Sequence, residues 1–128
     1  MKPMTREWVA KAEGDFAMVE RESRARKNPS YDGICFHAQQ CAEKYLKARL
    51  CEAGIEFARV HDLVALLELA LAVEPFWEAY RADLAALTDY AVSFRYPGQS
   101  ADRKAAKDAR RSCKVFRKAT REALRPRS

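Results

Sequence analysis

Long apolar runs are missing from this chain. Nowhere do roughly 18 uncharged, apolar residues follow one another, so no membrane-spanning helix is expected. Met1 to Glu7 hold no apolar stretch of the kind that opens a secretory leader, and none is expected. Glycine and proline are scarce, at four and five residues, which excludes a low-complexity or collagen-like chain. Histidine is scarcer, with His37 and His61 far apart in sequence. Common catalytic signatures are absent: there is no HExxH, no GxSxG, no GxxxxGKS or GxxxxGKT, and no GxGxxG. The cysteines, at 35, 41, 51 and 113, form no CxxC. On one helix Cys35 and Cys41 would point about 240° apart, too far to pinch a metal. Neither a metal nor a cofactor is expected. Thiols on apolar phases read as small buried hydrophobes of a reducing compartment, which makes the cytoplasm the expected location.

What is present suits one globular domain over residues 1–128. Apolar residues make up 48% and charged residues 33%, enough for a core and too apolar for disorder. The apolar period is helical throughout, and no segment alternates long enough to be a strand. A first helix is predicted from about Arg6 to Arg26, with Thr5 as N-cap, Asn28-Pro29 as its stop, and Trp8, Ala12, Phe16 and Val19 on one face. A second is predicted from Tyr31 to Ala53, opened by Ser30 and closed by Gly54. Asp62 would cap a short third helix, and Pro75 suits the first turn of a fourth that carries Tyr80, Leu84, Leu87, Ala91 and Phe94 inward. Ser100 would cap a fifth, with Ala105, Ala109, Cys113, Phe116 and Ala123 facing in. Short connections make chain neighbours antiparallel. The expected fold is all-α: an antiparallel up-and-down bundle of four main helices plus one short one.

Several polar residues stand out within this frame. The second helix carries His37, Gln40, Lys44 and Lys47 in a stripe, with Glu43 beside it. Glu43 and Lys47 are an i, i+4 pair in the favourable order, which suits an ordinary solvated face; a seam for a ligand or second subunit is the other reading. Asp15 lies at the edge of an apolar stripe, where an unpaired carboxylate is costly, so Lys44 or Lys47 is the expected partner. The same helix is apolar on many sides, at Ile34, Cys35, Phe36, Cys41, Tyr45, Leu46 and Leu50, and a homodimer is expected to cover some of that surface.

Charge is concentrated at one end. Residues 101–128, Arg127 included, hold eleven Lys/Arg against three acids, a net of +8 in a chain whose total is +6. Arg103, Lys107, Arg110, Lys114, Arg117, Arg121 and Arg125 fall within about 80° around one helix axis, opposite its apolar face. Such a row suits a phosphate backbone or an acidic partner, and equally a solvated face. The opposite face is mostly Ala, Cys, Ser and Thr, too weakly apolar to enter a membrane surface.

Four motifs in order resemble one family. Phe36-His37-Ala38-Gln39-Gln40-Cys41-Ala42-Glu43-Lys44-Tyr45-Leu46-Lys47-Ala48 is similar to the A-Q-Q-x-A-E-K-x-L-K-A pattern in the central helix of HEPN domains (higher eukaryotes and prokaryotes nucleotide-binding). Trp8, Ala12 and Asp15 resemble that family's opening W-x3-A-x2-D, His61-Asp62-Leu63 its H-D-L, and Arg95-Tyr96-Pro97 its R-Y-P. The resemblance implies a helical bundle that often dimerises and is frequently encoded beside a minimal nucleotidyltransferase, as half of a two-component, often toxin–antitoxin, system. It also implies a ribonuclease motif of Arg, then four to six residues, then His. Counting from Arg95, those positions hold Ser100, Ala101 and Asp102, so the motif lacks its histidine. The resulting expectation is a non-catalytic subunit that binds nucleotide or RNA and pairs with a nucleotidyltransferase-type partner. Arg95, Tyr96, His37, Lys44, Lys47, Arg103, Lys107, Arg110 and Lys114 are its candidate contacts. A ribonuclease with a displaced base, such as His37, and a dimeric interaction module without nucleotide are the alternatives.

Overall fold

The structure, a computed structural model, describes residues 1–126; Arg127 lies outside them. Five α-helices follow one another: α1 (Pro3–Ser23), α2 (Tyr31–Ala53), α3 (Leu63–Ala70), α4 (Arg81–Ser93) and α5 (Arg103–Ala123), with a 3-10 turn at Pro75–Tyr80 ahead of α4. The described residues contain no strand, as the helical period requires.

Helix ends follow local chemistry. Ser30 Oγ accepts the Gly33 N–H at 2.9 Å and opens α2. Gly54, at φ 72°, closes it: its N–H donates to Cys51 O, and the Ile55 N–H reaches back to Leu50 O at 2.9 Å. That double bond pattern needs a left-handed residue, which glycine adopts without a Cβ clash. Asp62 caps α3 through the Val64 and Ala65 N–H groups.

Four expected boundaries move. α1 starts at Pro3, three residues early, because proline sits without cost in a first turn whose N–H groups lack partners. Thr5 is therefore inside the helix, fully buried, and its hydroxyl donates to Glu52 Oε1 at 2.9 Å instead of capping. The helix also stops at Ser23, whose hydroxyl bonds back to Val19 O at 2.7 Å. The predicted fourth helix divides at Arg81. In the 3-10 turn the three-residue period puts Trp77 and Tyr80 on one edge, and both rings meet Phe116 of α5 edge-on, at 5.0 and 5.7 Å. Asp102, not Ser100, caps α5 by accepting the Ala105 N–H at 2.8 Å.

α2 lies at the centre. Lys2 and Thr5 at the start of α1 bond Glu52 at the end of α2, while Glu22 at the far end of α1 accepts the Ser30 N–H, so the two helices run antiparallel. α5 lies along α2 in the same direction: the Ala101 N–H donates to Asp32 Oδ1 at 2.6 Å where both helices begin. Ile34, Cys35, Cys41, Tyr45, Leu46 and Leu50 are all buried within the single chain. The apolar surplus on α2 is thus covered by α1, α3, α4 and α5, and of that set only Phe36 stays exposed. The argument for a dimer from those residues falls away, because a central helix needs apolar residues all round.

Among the described residues, no helix is long and apolar enough to cross a membrane. Cys35, Cys41 and Cys113 are buried, and burial pushes the Cys35 thiol up to about 12. Cys51 alone is partly open. A thiol-reactive chromophore should therefore titrate one fast thiol per native chain and four after denaturation; two or more fast thiols in the native protein would contradict this packing.

Candidate functional site

Two carboxylates inside the bundle collect most of the polar residues singled out in the sequence. Glu43, on α2, is only 3% exposed. Its Oε2 accepts from Lys47 Nζ at 3.0 Å, and its Oε1 from Gln39 Nε2 at 3.1 Å. His61 Nδ1 lies 3.0 Å from the same Oε1; a carboxylate only accepts, so the imidazole donates here and keeps Nε2 free. Gln39 also donates to the His61 carbonyl, which ties the segment before α3 to α2. The Lys47 ammonium stands over the rings of Trp8 and Phe57, at 5.5 and 5.8 Å. Asp15 on α1 holds Lys44 at 2.5 Å and His37 at 2.8 Å.

The polar stripe of α2 therefore faces its own chain. Lys44 is the expected partner of Asp15, while Lys47 belongs to Glu43. The Glu43–Lys47 pair is buried rather than solvated, and a lysine 6% exposed presents no ammonium to a ligand. His37 bonds Asp15 through Nδ1, the same ring nitrogen that His61 gives to Glu43.

The basic face of α5 divides in two. Arg110 clasps both oxygens of Glu20, at 2.9 and 3.0 Å, and Arg117 clasps both oxygens of Glu13, at 2.7 and 2.6 Å. Arg121 joins Glu13 at 3.2 Å, the Tyr45 hydroxyl donates to it at 2.6 Å, and the Arg117 guanidinium covers the Phe16 ring at 4.2 Å. The Arg117 hydrogen bond holds the Glu13 carboxyl below its ordinary value against the opposing effect of burial, and Arg110 does the same for Glu20. Three of the seven cations in the expected phosphate-tracking row are thus a stitch to α1. Arg103, Lys107 and Lys114 remain exposed and make no ion pair among the described residues.

Arg95 is placed differently. α4 ends at Ser93, and the chain turns through Tyr96-Pro97-Gly98-Gln99, with Gln99 N–H bonded to Tyr96 O at 3.3 Å. Pro97 sets φ for the second turn position and Gly98, at φ 86°, supplies the third. The Arg95 guanidinium makes no hydrogen bond or ion pair among the described residues, so the carbonyl-capping role available to it is not taken. It lines two adjoining grooves. One, of about 230 Å³, is walled by Gln39, Gln40, His61, Asp62, Thr88 and Val92. The other, of about 290 Å³, is walled by Asp32, Phe36, Tyr90 and Phe94. Tyr96 is 62% exposed and does not pack on the bundle. The sequence offered His37 as the displaced base to work with Arg95, but the fold sets His61, not His37, in the Arg95 groove. The H-D-L step was the available signal, and nothing in its spacing told that it returns to α2 beside Arg95.

Among the described residues, no group of three or more His, Cys, Asp or Glu could hold a metal ion. In comparison with known proteins, a family model described as the HEPN domain matches residues 5–123. No curated protein and no solved structure matches the chain.

Two stability outcomes follow from these carboxylates. Glu43→Ala leaves a buried ammonium without its counter-charge and should cost about 3–5 kcal/mol in urea unfolding; a cost under 1 kcal/mol would mean that the pair is solvated. Glu13→Gln should lower the melting temperature at neutral pH. A depressed folded-state pKa gives stability that is present above the ordinary glutamate value of 4.5 and lost as pH falls through the folded one. The gap between variant and parent should therefore close on acidification below that value, and a gap that persists there would refute the ionic origin.

Proposed function

We propose that this chain, which belongs to the HEPN domain family, is a non-catalytic member that binds a nucleotide or RNA phosphate at Arg95. It pairs, on this reading, with a nucleotidyltransferase-type protein in a two-component, toxin–antitoxin-like system, as many chains with these motifs do. The observation that carries the binding is the Arg95 guanidinium itself: exposed, unneutralised among the described residues, carried just ahead of a proline turn and set between two grooves. A planar fork of donors in that setting suits phosphate, and the exposed Tyr96 ring beside it suits a base.

The non-catalytic part rests on what stands where the family's histidine would be. Ala101 is buried and its N–H holds Asp32, while Asp102 caps α5. These positions anchor the last helix: Ala101 offers no base, Asp102 Oδ1 is engaged by the Ala105 N–H, and no imidazole stands there to take a proton from a ribose hydroxyl. A second reading has one observation in its favour. His61, oriented by the buried Glu43 carboxylate, lies in the Arg95 groove and replaces His37 as the candidate displaced base of a ribonuclease. Assembly as a homodimer has support in Phe36, Val92 and Tyr96, which are 41%, 56% and 62% exposed around Arg95.

Binding of a fluorescent single-stranded oligoribonucleotide across a salt series tests the main reading. Arg95→Ala should weaken binding and shallow the log–log salt slope by roughly 0.7, the share of one phosphate contact. No RNA should be cleaved above background. Cleavage that vanishes in both Arg95→Ala and His61→Ala would replace this reading by the ribonuclease, and no RNA or nucleotide binding at low salt would leave a protein-interaction module. Sedimentation at micromolar concentration should give a dimer; monomer alone overturns that assembly.

A further inference from the structure

A groove of about 380 Å³ shares no lining residue with the two grooves at Arg95. It opens between the end of α1, the turn into α2 and the first turns of α5. Arg26 approaches from one wall, Arg103, Lys107 and Arg110 from the other, and Tyr31, Pro29 and Ile34 line it too. Its volume is in the range of sites for small ligands, roughly 300–1,000 Å³.

Charge makes this groove unlike the rest of the α1–α5 seam. Further along, each arginine of α5 that faces α1 meets a carboxylate, Glu20 or Glu13. Here α1 gives way to Arg26, and cation faces cation. Arg26, Arg103 and Lys107 make no ion pair among the described residues. Glu22, the one carboxylate of the lining, accepts the Ser30 N–H at 2.9 Å, so part of its capacity is taken by the turn. Arg110 is held rigidly by Glu20 through Nε and Nη2, which leaves Nη1 as a fixed donor. Like charges gathered around a concave surface are unfavourable on their own and focus a positive field into it.

We propose that this groove is a second anion site, built for a compact ligand with clustered phosphates and a flat apolar group, the chemistry of a nucleoside polyphosphate. The phosphates lie among Arg26, Arg103, Lys107 and the free edge of Arg110, and the flat group lies on Tyr31 and Pro29. An extended strand needs cations spaced along a track; three unpaired cations and the free edge of Arg110 around one hollow suit several charges close together. The site stands apart from the Arg95 reading and does not depend on it.

Calorimetric titration of the full chain with tripolyphosphate, adenosine triphosphate and adenosine separates the parts. In an Arg95→Ala background, so that this groove alone is read, both phosphate ligands should bind once per chain, adenosine triphosphate more tightly because of Tyr31, and adenosine should not bind measurably. Arg26→Gln and Lys107→Gln each remove one charged contact and should weaken both phosphate ligands about tenfold. Tyr31→Leu should weaken adenosine triphosphate and leave tripolyphosphate unchanged. Lys118→Gln, at an exposed cation of α5 outside the groove, should leave both within about twofold. Unchanged helicity by circular dichroism confirms that each variant folds, and Arg26, in the loop after α1, is the variant least able to perturb the bundle. The proposal is overturned if neither phosphate ligand binds at low salt, or if Lys118→Gln weakens binding as much as Lys107→Gln. It is overturned equally if Arg95→Ala abolishes the binding, which would assign the anion to the other groove.

Discussion

Glu43 is the residue on which the arrangement around α2 depends. A carboxylate at the centre of a helical bundle loses its hydration, and the bundle can close over it only if both oxygens are supplied with donors. Lys47 supplies one from the next turn of the same helix, and Gln39 supplies another from the turn before. His61 supplies the third, and it has to come from the long connection after α2, so that connection is drawn back against the helix it has just left. α3 starts immediately afterwards, at the Asp62 cap. The same ammonium that neutralises Glu43 meets Trp8 of α1, which joins that helix to the network. A structural requirement of this kind explains why A-Q-Q-x-A-E-K-x-L-K-A, W-x3-A-x2-D and H-D-L occur together: their polar members mostly touch each other.

A consequence is that polar residues conspicuous in the sequence need not face a ligand. Lys44, Lys47 and His37 are internal ties, and Arg110, Arg117 and Arg121 are cross-helix ties. Cations whose partners are internal hold the bundle together, and cations left without partners shape its field. The second group includes Arg95 at the end of α4, Arg26, Arg103 and Lys107 around the groove at the start of α5, and Lys114 further along that helix. His61 belongs to both groups, since one ring nitrogen serves Glu43 and the ring still lines the Arg95 groove.

Much of the fold was legible before any coordinates. The all-helical class, the full span of α2, its Ser30 and Gly54 ends and the Asp62 cap are decided by contacts within a few residues, and those leave their mark in local order. The boundaries that moved were decided from a distance. Thr5 is drawn inside α1 by Glu52, and Trp77 and Tyr80 hold a 3-10 turn because Phe116 lies across from them. The site was half legible for the same reason: the motif marked Arg95, but its groove needs α2, α4 and the His61 segment at once.

The basic row shows the division most clearly. Helical periodicity alone determined that Arg103, Lys107, Arg110, Lys114, Arg117 and Arg121 share one face of α5, because side-chain direction repeats every 3.6 residues. Whether each was neutralised was decided only in the folded chain, by Glu13 and Glu20 on a helix some ninety to a hundred residues earlier. Spacing along a helix is local geometry and can be read from order. The charge standing opposite depends on how two distant segments lie against each other, and burial and packing of the whole core settle that.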